Sequence, residues 1–86
     1  MAFRVTGKVN RIYATSGQVF FRLTDLPPGN TPQDGYFRLN QSHSNYDALY
    51  SLALTAAVNR YELQIRTNGD IDPTQVADVR YMVVDW

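Results

Sequence analysis

The side chains best suited to catalysis are few in this sequence, and their spacing matches no catalytic motif. His43 is the single histidine, and no cysteine is present to act as a nucleophile beside it. Four serines lie outside any G-x-S-x-G turn or glycine-rich phosphate loop, namely Ser16, Ser42, Ser44 and Ser51. Because an active site must fill several roles at once, we predict that the protein is not an enzyme. We interpret His43 as a loop or interface residue.

Two acidic residues in a turn are the nearest approach to a metal site. Asp70 and Asp72 follow Gly69 in the sequence G-D-I-D. Calcium takes six or more oxygen ligands, and two carboxylates do not supply the twelve-residue loop pattern that binds it. The lack of cysteine also excludes a cysteine-ligated zinc site. We therefore predict a solvated turn, with no metal and no cofactor.

Aromatic and cationic side chains alternate on one predicted face of the first three strands. The outward positions there are Arg4, Lys8, Phe20, Arg22, Tyr36 and Arg38. The last four are the candidate ligand-binding residues. Phe20 and Tyr36 could stack on bases at roughly 1–3 kcal/mol each, with Arg22 and Arg38 on phosphates, or the rings could stack on sugars. An alternative is that Phe20 and Tyr36 form a cross-strand pair buried between subunits.

The net charge of the chain favours one class of ligand over another. Eight basic and eight acidic residues give a formal net charge of zero. Affinity for nucleic acid rests on neutralising phosphates. We therefore place a glycan or other small ligand ahead of single-stranded nucleic acid.

The spacing of apolar residues predicts one helix over residues 45–58. One stripe at helical spacing contains Tyr46, Leu49, Tyr50, Ala53 and Ala57. Ser44 and Asp47 fit a capping box at the start of the helix. Asn59 tolerates the left-handed conformation that ends a helix. The stripe is expected to cover the core.

The opposite side of this helix carries small, uncharged residues, with no Lys, Arg or Glu between Ala48 and Asn59. The last strand is apolar on both of its faces, and a strand of that kind is usually covered on both faces. Both features predict contact with another subunit. The predicted interface residues are Ala48, Ser51, Leu52, Thr55, Met82, Val84 and Trp86. The alternative for the helix is a small polar face that meets water.

The pattern of apolar residues predicts five strands in one domain, 1–86; apolar and polar residues alternate in the first four, and the last is apolar on both faces. They cover about 3–13, 18–24, 36–40, 61–67 and 76–86. In the first strand the apolar parity changes at Ile12, which indicates a bulge near Asn10 and Arg11. The order β-β-β-α-β-β is that of the OB fold, a five-stranded Greek-key β-barrel with a helix after its third strand. Sm-like and SH3-like barrels are the competing folds.

The C-terminal half supports the same fold. The segments NYDALYSLALTAAVNRYELQIRT and VADVRYMVVDW resemble the corresponding part of small pentameric OB-fold proteins, which include the B subunits of AB-type bacterial toxins and their non-toxin look-alikes. This resemblance implies a ring in which helices gather around a central pore and neighbouring barrels pair their strand edges. The toxin members bind cell-surface glycans.

Secreted toxin subunits normally carry a signal peptide and a disulfide. The N-terminal sequence MAFRVTGKV contains no long apolar run, and the chain has no cysteine. These features favour a cytoplasmic location over a toxin role. No apolar stretch approaches the roughly 20 residues needed to span a bilayer, so no membrane insertion is expected.

The sequence therefore predicts a non-enzymatic, homo-oligomeric OB-fold module. The resemblance implies a pentameric ring that acts as a binding or assembly module. Its ligand is unidentified, with a glycan or another small molecule as the first candidate. The alternative function is that of a small β-barrel that binds single-stranded RNA or DNA.

Overall fold

The described part of the chain covers residues 4–24, 26, 31–72 and 74–85 of a computed structural model. It contains six strands, one α-helix and a single-turn 3-10 helix at Gln33–Gly35. The strands and the α-helix are numbered below. In chain order these are β1 (Arg4–Gly7), β2 (Val9–Thr15), β3 (Gln18–Leu23), β4 (Tyr36–Asn40), α1 (Tyr46–Asn59), β5 (Leu63–Thr67) and β6 (Ala77–Val84). The strands form one mixed sheet in the order β1-β5-β6-β4-β3-β2. Neighbours are antiparallel except for β4 and β6, which are parallel. The prediction of a mainly β protein with one helix is confirmed.

The segment predicted as one bent first strand consists of β1 and β2, separated by Lys8. β1 pairs with β5 and β2 pairs with β3, so the two ends of the sheet order are consecutive in the chain. A Cβ atom on Gly7 would lie 2.7 Å from the carbonyl oxygen of Thr24, so only glycine fits this close approach. The register shifts between Val9 and Arg11. The predicted bulge at Asn10 is therefore confirmed.

The core lies between the inner face of the sheet and the helix. Alternate residues of the central strands are almost completely buried, as their spacing predicted: Val19, Phe21, Phe37, Leu39, Leu63 and Ile65. The rings of Phe21 and Phe37 stack with centroids 6.1 Å apart. Burying such a side chain contributes roughly 1.5–3 kcal/mol. The helix adds Leu49, Ala53 and Ala56 to the core.

The helix ends differ in detail from the prediction. Asn45, not Ser44, occupies the N-cap position, and no side chain there accepts a capping hydrogen bond. The backbone N–H of Asn45 instead donates to Nδ1 of His43 at 3.0 Å. At the other end Arg60, not Asn59, adopts the left-handed conformation, with φ of 57°. Its N–H donates to helix carbonyls, so this unusual conformation closes the last turn.

The last strand contains a bulge that the sequence analysis did not foresee. Thr67 pairs with Val79 and Arg66 pairs with Tyr81, which leaves Arg80 without an opposite residue. The extra residue changes which parity faces inward, so Val79 and Met82 are both buried, at 3% and 7% exposure. The prediction that Met82 lies on a second, outer face is therefore wrong.

The other predicted interface residues of this strand have different positions. Val84 is half-buried and packs against the core. Trp86 lies outside the described residues. The outer side of β6 after the bulge instead carries Tyr81, which is 41% exposed, and the half-buried Val83.

No helix in the described part of the chain is long and apolar enough to cross a membrane.

Candidate ligand-binding face

The four candidate ligand-binding residues share the outer face of β3 and β4. Phe20 lies opposite Arg38, and Arg22 lies opposite Tyr36. All four side chains are half-buried. Phe20 and Tyr36 are therefore diagonal neighbours rather than a direct cross-strand pair. Of the other predicted outward residues, Arg4 lies on β1 opposite Arg66, on the other side of the sheet order.

Tyr13 of β2 completes this face, although sequence reasoning did not include it. It is the direct partner of Phe20, and the two rings stack with centroids 5.0 Å apart and planes at 17°. The ring of Tyr36 meets Tyr13 edge-on, at 5.7 Å between centroids. The bulge at Asn10 turns the odd-numbered residues after it outward. The parity change at Ile12 was thus the signal that could have identified Tyr13.

Two arginines contact these tyrosines. The guanidinium carbon of Arg11 lies 5.6 Å from the ring centroid of Tyr13. That of Arg22 lies at the same distance from Tyr36. Both distances fall within the range of cation–π attraction. We call the set Arg11, Tyr13, Phe20, Arg22, Tyr36 and Arg38 the aromatic–arginine face.

Asn10, at the bulge of β2, forms a hydrogen bond with Arg22. Nε of Arg22 donates to the side-chain oxygen of Asn10 at 3.0 Å. This bond orients the Arg22 side chain along the face. It uses one of the guanidinium's five donor hydrogens.

Arg38 has a different environment, because parallel pairing of β4 and β6 brings Asp78 beside it. Nε and Nη2 of Arg38 donate to the two carboxylate oxygens of Asp78 at 2.6 and 3.0 Å. The hydrogen bonds with Asp78 raise the pKa of Arg38 above its ordinary value, and burial opposes this effect. Asn40 donates weakly to the same carboxylate at 3.4 Å, and Gln18 donates to Asn40 at 3.0 Å. A polar network therefore borders the aromatic rings.

His43 has a structural position. Nδ1 accepts the N–H of Asn45, so the ring proton lies on Nε2, which donates to the carbonyl of Arg80 at 3.0 Å. This histidine therefore joins the start of α1 to the bulge of β6.

The two carboxylates of the predicted acidic turn, Asp70 and Asp72, have different surroundings. Oδ1 of Asp72 accepts the N–H and the hydroxyl of Thr74 at 2.8 and 2.7 Å. Asp70 is exposed in the same segment. Within the described ranges, no three His, Asp or Glu side chains converge as metal ligands would.

The outer side of α1 is exposed. Of the predicted interface residues, Ala48, Ser51 and Thr55 face solvent, whereas Leu52 is half-buried against the core. Two apolar residues that were not predicted belong to this surface, Leu54 at 40% and Val58 at 80% exposure. We call the set Ala48, Ser51, Leu54, Thr55 and Val58 the helix outer face.

No protein-family model, curated protein or solved structure matches this chain.

Proposed function

We propose that this protein is a non-enzymatic, homo-oligomeric binding protein with an OB-type barrel. The helix outer face would form the contacts between subunits, and the aromatic–arginine face would bind the ligand. The observation that carries the proposal is the exposed, uncharged surface of α1.

The barrel is supported by the connectivity of the sheet. β1 and β2 are two parts of one bent segment and lie at opposite ends of the sheet order. A long bent first strand that pairs at both of its ends is the feature that lets a small sheet close. The helix follows β4, and the parallel partner of β4 is the last strand, β6. Both features fit a Greek-key barrel of the OB type.

The chemistry of α1 supports subunit contact. The hydroxyl of Thr55 donates to the carbonyl of Ser51 at 2.9 Å, and the side chain of Asn59 donates to the carbonyl of Thr55 at 2.9 Å. Both side chains thus bond to the backbone of the helix itself. Leu54 and Val58 are one turn apart and add a continuous apolar area. A helix surface of this kind permits close approach of a second helix.

The number of subunits is proposed from the resemblance of the C-terminal half to ring-forming OB-fold proteins, which makes five the expected number. In such a ring the α1 helices would meet around the axis. The aromatic–arginine face is on β2, β3 and β4, so its residues would stay available to a ligand such as a glycan.

Light scattering after size exclusion tests the assembly. The unchanged protein is expected to have a mass of about five chains, and Val58→Lys or Thr55→Lys should lower it, because a buried unpaired charge disfavours the contact. Both positions are exposed, so neither change disturbs the core. Asn68→Lys places the same charge on an exposed turn and serves as the control. A monomeric mass for the unchanged protein would contradict the proposal.

A second candidate is binding of single-stranded nucleic acid, favoured by the two arginine–tyrosine contacts on the sheet. Aromatic platforms flanked by cations are typical of such proteins. Fluorescence anisotropy with a short labelled oligonucleotide tests it. Arg22→Ala combined with Arg38→Ala should weaken binding and flatten its salt dependence. No detectable binding by the unchanged protein at low salt would exclude this candidate.

A further inference from the structure

Arg11 and Arg22 face each other across β2 and β3 as direct partners. Side chains at directly opposed positions start about 4.5–5.5 Å apart at Cβ, and like charges there destabilise a sheet. Each guanidinium lies against a tyrosine, and those two tyrosines contact each other. Strand pairing thus brings two arginine residues to adjacent positions on the same face of the sheet.

Neither charge is compensated within the described ranges. The ion pair on this face joins Arg38 to Asp78 and includes neither Arg11 nor Arg22. Arg11 makes a cation–π contact but no hydrogen bond in those ranges, and Arg22 uses only Nε, in its bond to Asn10. The terminal nitrogens of both guanidiniums are therefore open to an external acceptor. Arginine suits such a role because its planar fork matches the oxygens of phosphate, sulfate and carboxylate.

We propose that Arg11 and Arg22 together bind one oxyanion group of the ligand. This inference rests on the proposed function of the aromatic–arginine face as the binding surface. The ligand is a small molecule that carries one phosphate, sulfate or carboxylate group, and its remaining part lies over Tyr13 and Tyr36. The anion removes the repulsion between the two arginines, so binding gains from both charges at once.

The arrangement favours a single anionic group over a polyanionic strand. A nucleic-acid strand presents one phosphate at every nucleotide and gains affinity from a series of cations. The next arginine along this face is Arg38, and its charge is already matched by Asp78. The face therefore offers one unmatched cationic point.

Titration with sodium sulfate, followed by two-dimensional NMR on the full chain, tests the site. The probe is expected to saturate at one per chain and to shift the Arg11 and Arg22 side-chain signals. Arg11→Gln or Arg22→Gln should each weaken sulfate binding about tenfold or more, because each change removes a charge-assisted hydrogen-bond donor. Arg4→Gln is the matched control, because Arg4 is also an exposed strand arginine opposite another arginine. The control should bind sulfate like the unchanged protein.

Two results would overturn the proposal: sulfate shifts that do not saturate, or equal weakening by all three substitutions. Competition with a single-stranded oligonucleotide distinguishes this site from a nucleic-acid-binding surface. The oligonucleotide is expected not to compete strongly. If it displaces sulfate, and if its own affinity falls with salt concentration as steeply as contact with several phosphates requires, the single-anion proposal is wrong and the nucleic-acid strand is the ligand.

A panel of neutral and acidic oligosaccharides separates this inference from the proposed function. Binding of neutral members that is unaffected by Arg22→Gln would leave the binding face standing and refute the anion site. A monomeric mass with intact sulfate binding would refute the assembly alone.

Discussion

Two arginines on neighbouring strands of one sheet face have opposite electrostatic environments. Arg38 forms a two-pronged ion pair with Asp78, and both side chains are 34% exposed. Arg22 lies opposite another arginine, and its contacts are a neutral amide and a tyrosine ring. The comparison shows that residue type and strand position do not define an arginine's role. The role depends on the side chain that tertiary pairing brings beside the arginine: Asp78 matches the charge of Arg38, whereas no carboxylate contacts Arg22 within the described residues.

Removing the carboxylate is expected to have the largest effect on stability. Asp78→Asn deletes the charge that matches Arg38 and weakens the acceptor for Asn40. We expect a loss of about 1 kcal/mol in the free energy of unfolding, kept small by partial exposure to solvent. Urea denaturation measures this loss, and Asp70→Asn, at an exposed position, is the control. If Asp78→Asn leaves the urea midpoint of unfolding unchanged, the ion pair of Arg38 does not stabilise the fold, and Arg38 and Arg22 do not differ in this respect.

Removing a charge from the opposed pair should act in the other direction. Arg22→Gln relieves repulsion with Arg11 across the strands, so unfolding should cost about 0.5 kcal/mol more at low ionic strength. At about 1 M salt the gain should vanish, because exposed charges are then screened over a few ångströms. Thermal unfolding at the two salt concentrations measures the difference. If the gain is the same in both, charge repulsion is not its cause.

The bulge residue should affect order more than stability. Asn10→Ala removes the acceptor that orients Nε of Arg22. The bond is exposed, so the expected loss is less than about 0.5 kcal/mol. The NMR signal of Arg22 Nε should report greater side-chain mobility, while that of Arg38 stays unchanged. Equal changes at both arginines would indicate a general loosening of the sheet.

The parts of the fold that depend on local pattern were predictable. In β3 and β4 strict alternation assigned Phe21, Phe37 and Leu39 to the core, and these side chains are fully buried. The helix was found from its stripe because helical spacing is set by the chain itself. These elements also placed Phe20 and Tyr36 correctly on the outer face.

The remaining parts depend on distant pairing. Nothing near Arg38 in the sequence indicates Asp78, which arrives only through the parallel contact of β4 and β6. The bulge at Arg80 places Val79 and Met82 together in the core although they have opposite parity, and it leaves Tyr81 on the outer side of the strand. The carbonyl of Arg80 is bound by His43 from another element, and such compensation is not visible along the chain.

A third ionisable site separates charge pairing from hydrogen bonding to neutral groups. The hydroxyl of Thr74, and then its backbone N–H, lower the pKa of Asp72. The resulting stabilisation is present above the ordinary value of about 3.9 and is lost as the pH falls through the lower value of the folded protein. Thr74→Ala keeps the N–H but removes the hydroxyl, so the pKa of Asp72 should move up towards its ordinary value.

Carboxyl-carbon NMR titration measures this shift, and Thr74→Ser, which retains the hydroxyl, should preserve the lowered pKa. High salt should leave the Asp72 pKa almost unchanged, because its partners are neutral and close. The effect of removing Asp78 should shrink under the same conditions, because one of its partners is the charged Arg38. A similar salt response at both carboxylates would show that Asp78 acts mainly through hydrogen bonds. The contrast between Arg38 and Arg22 would then rest on geometry more than on charge.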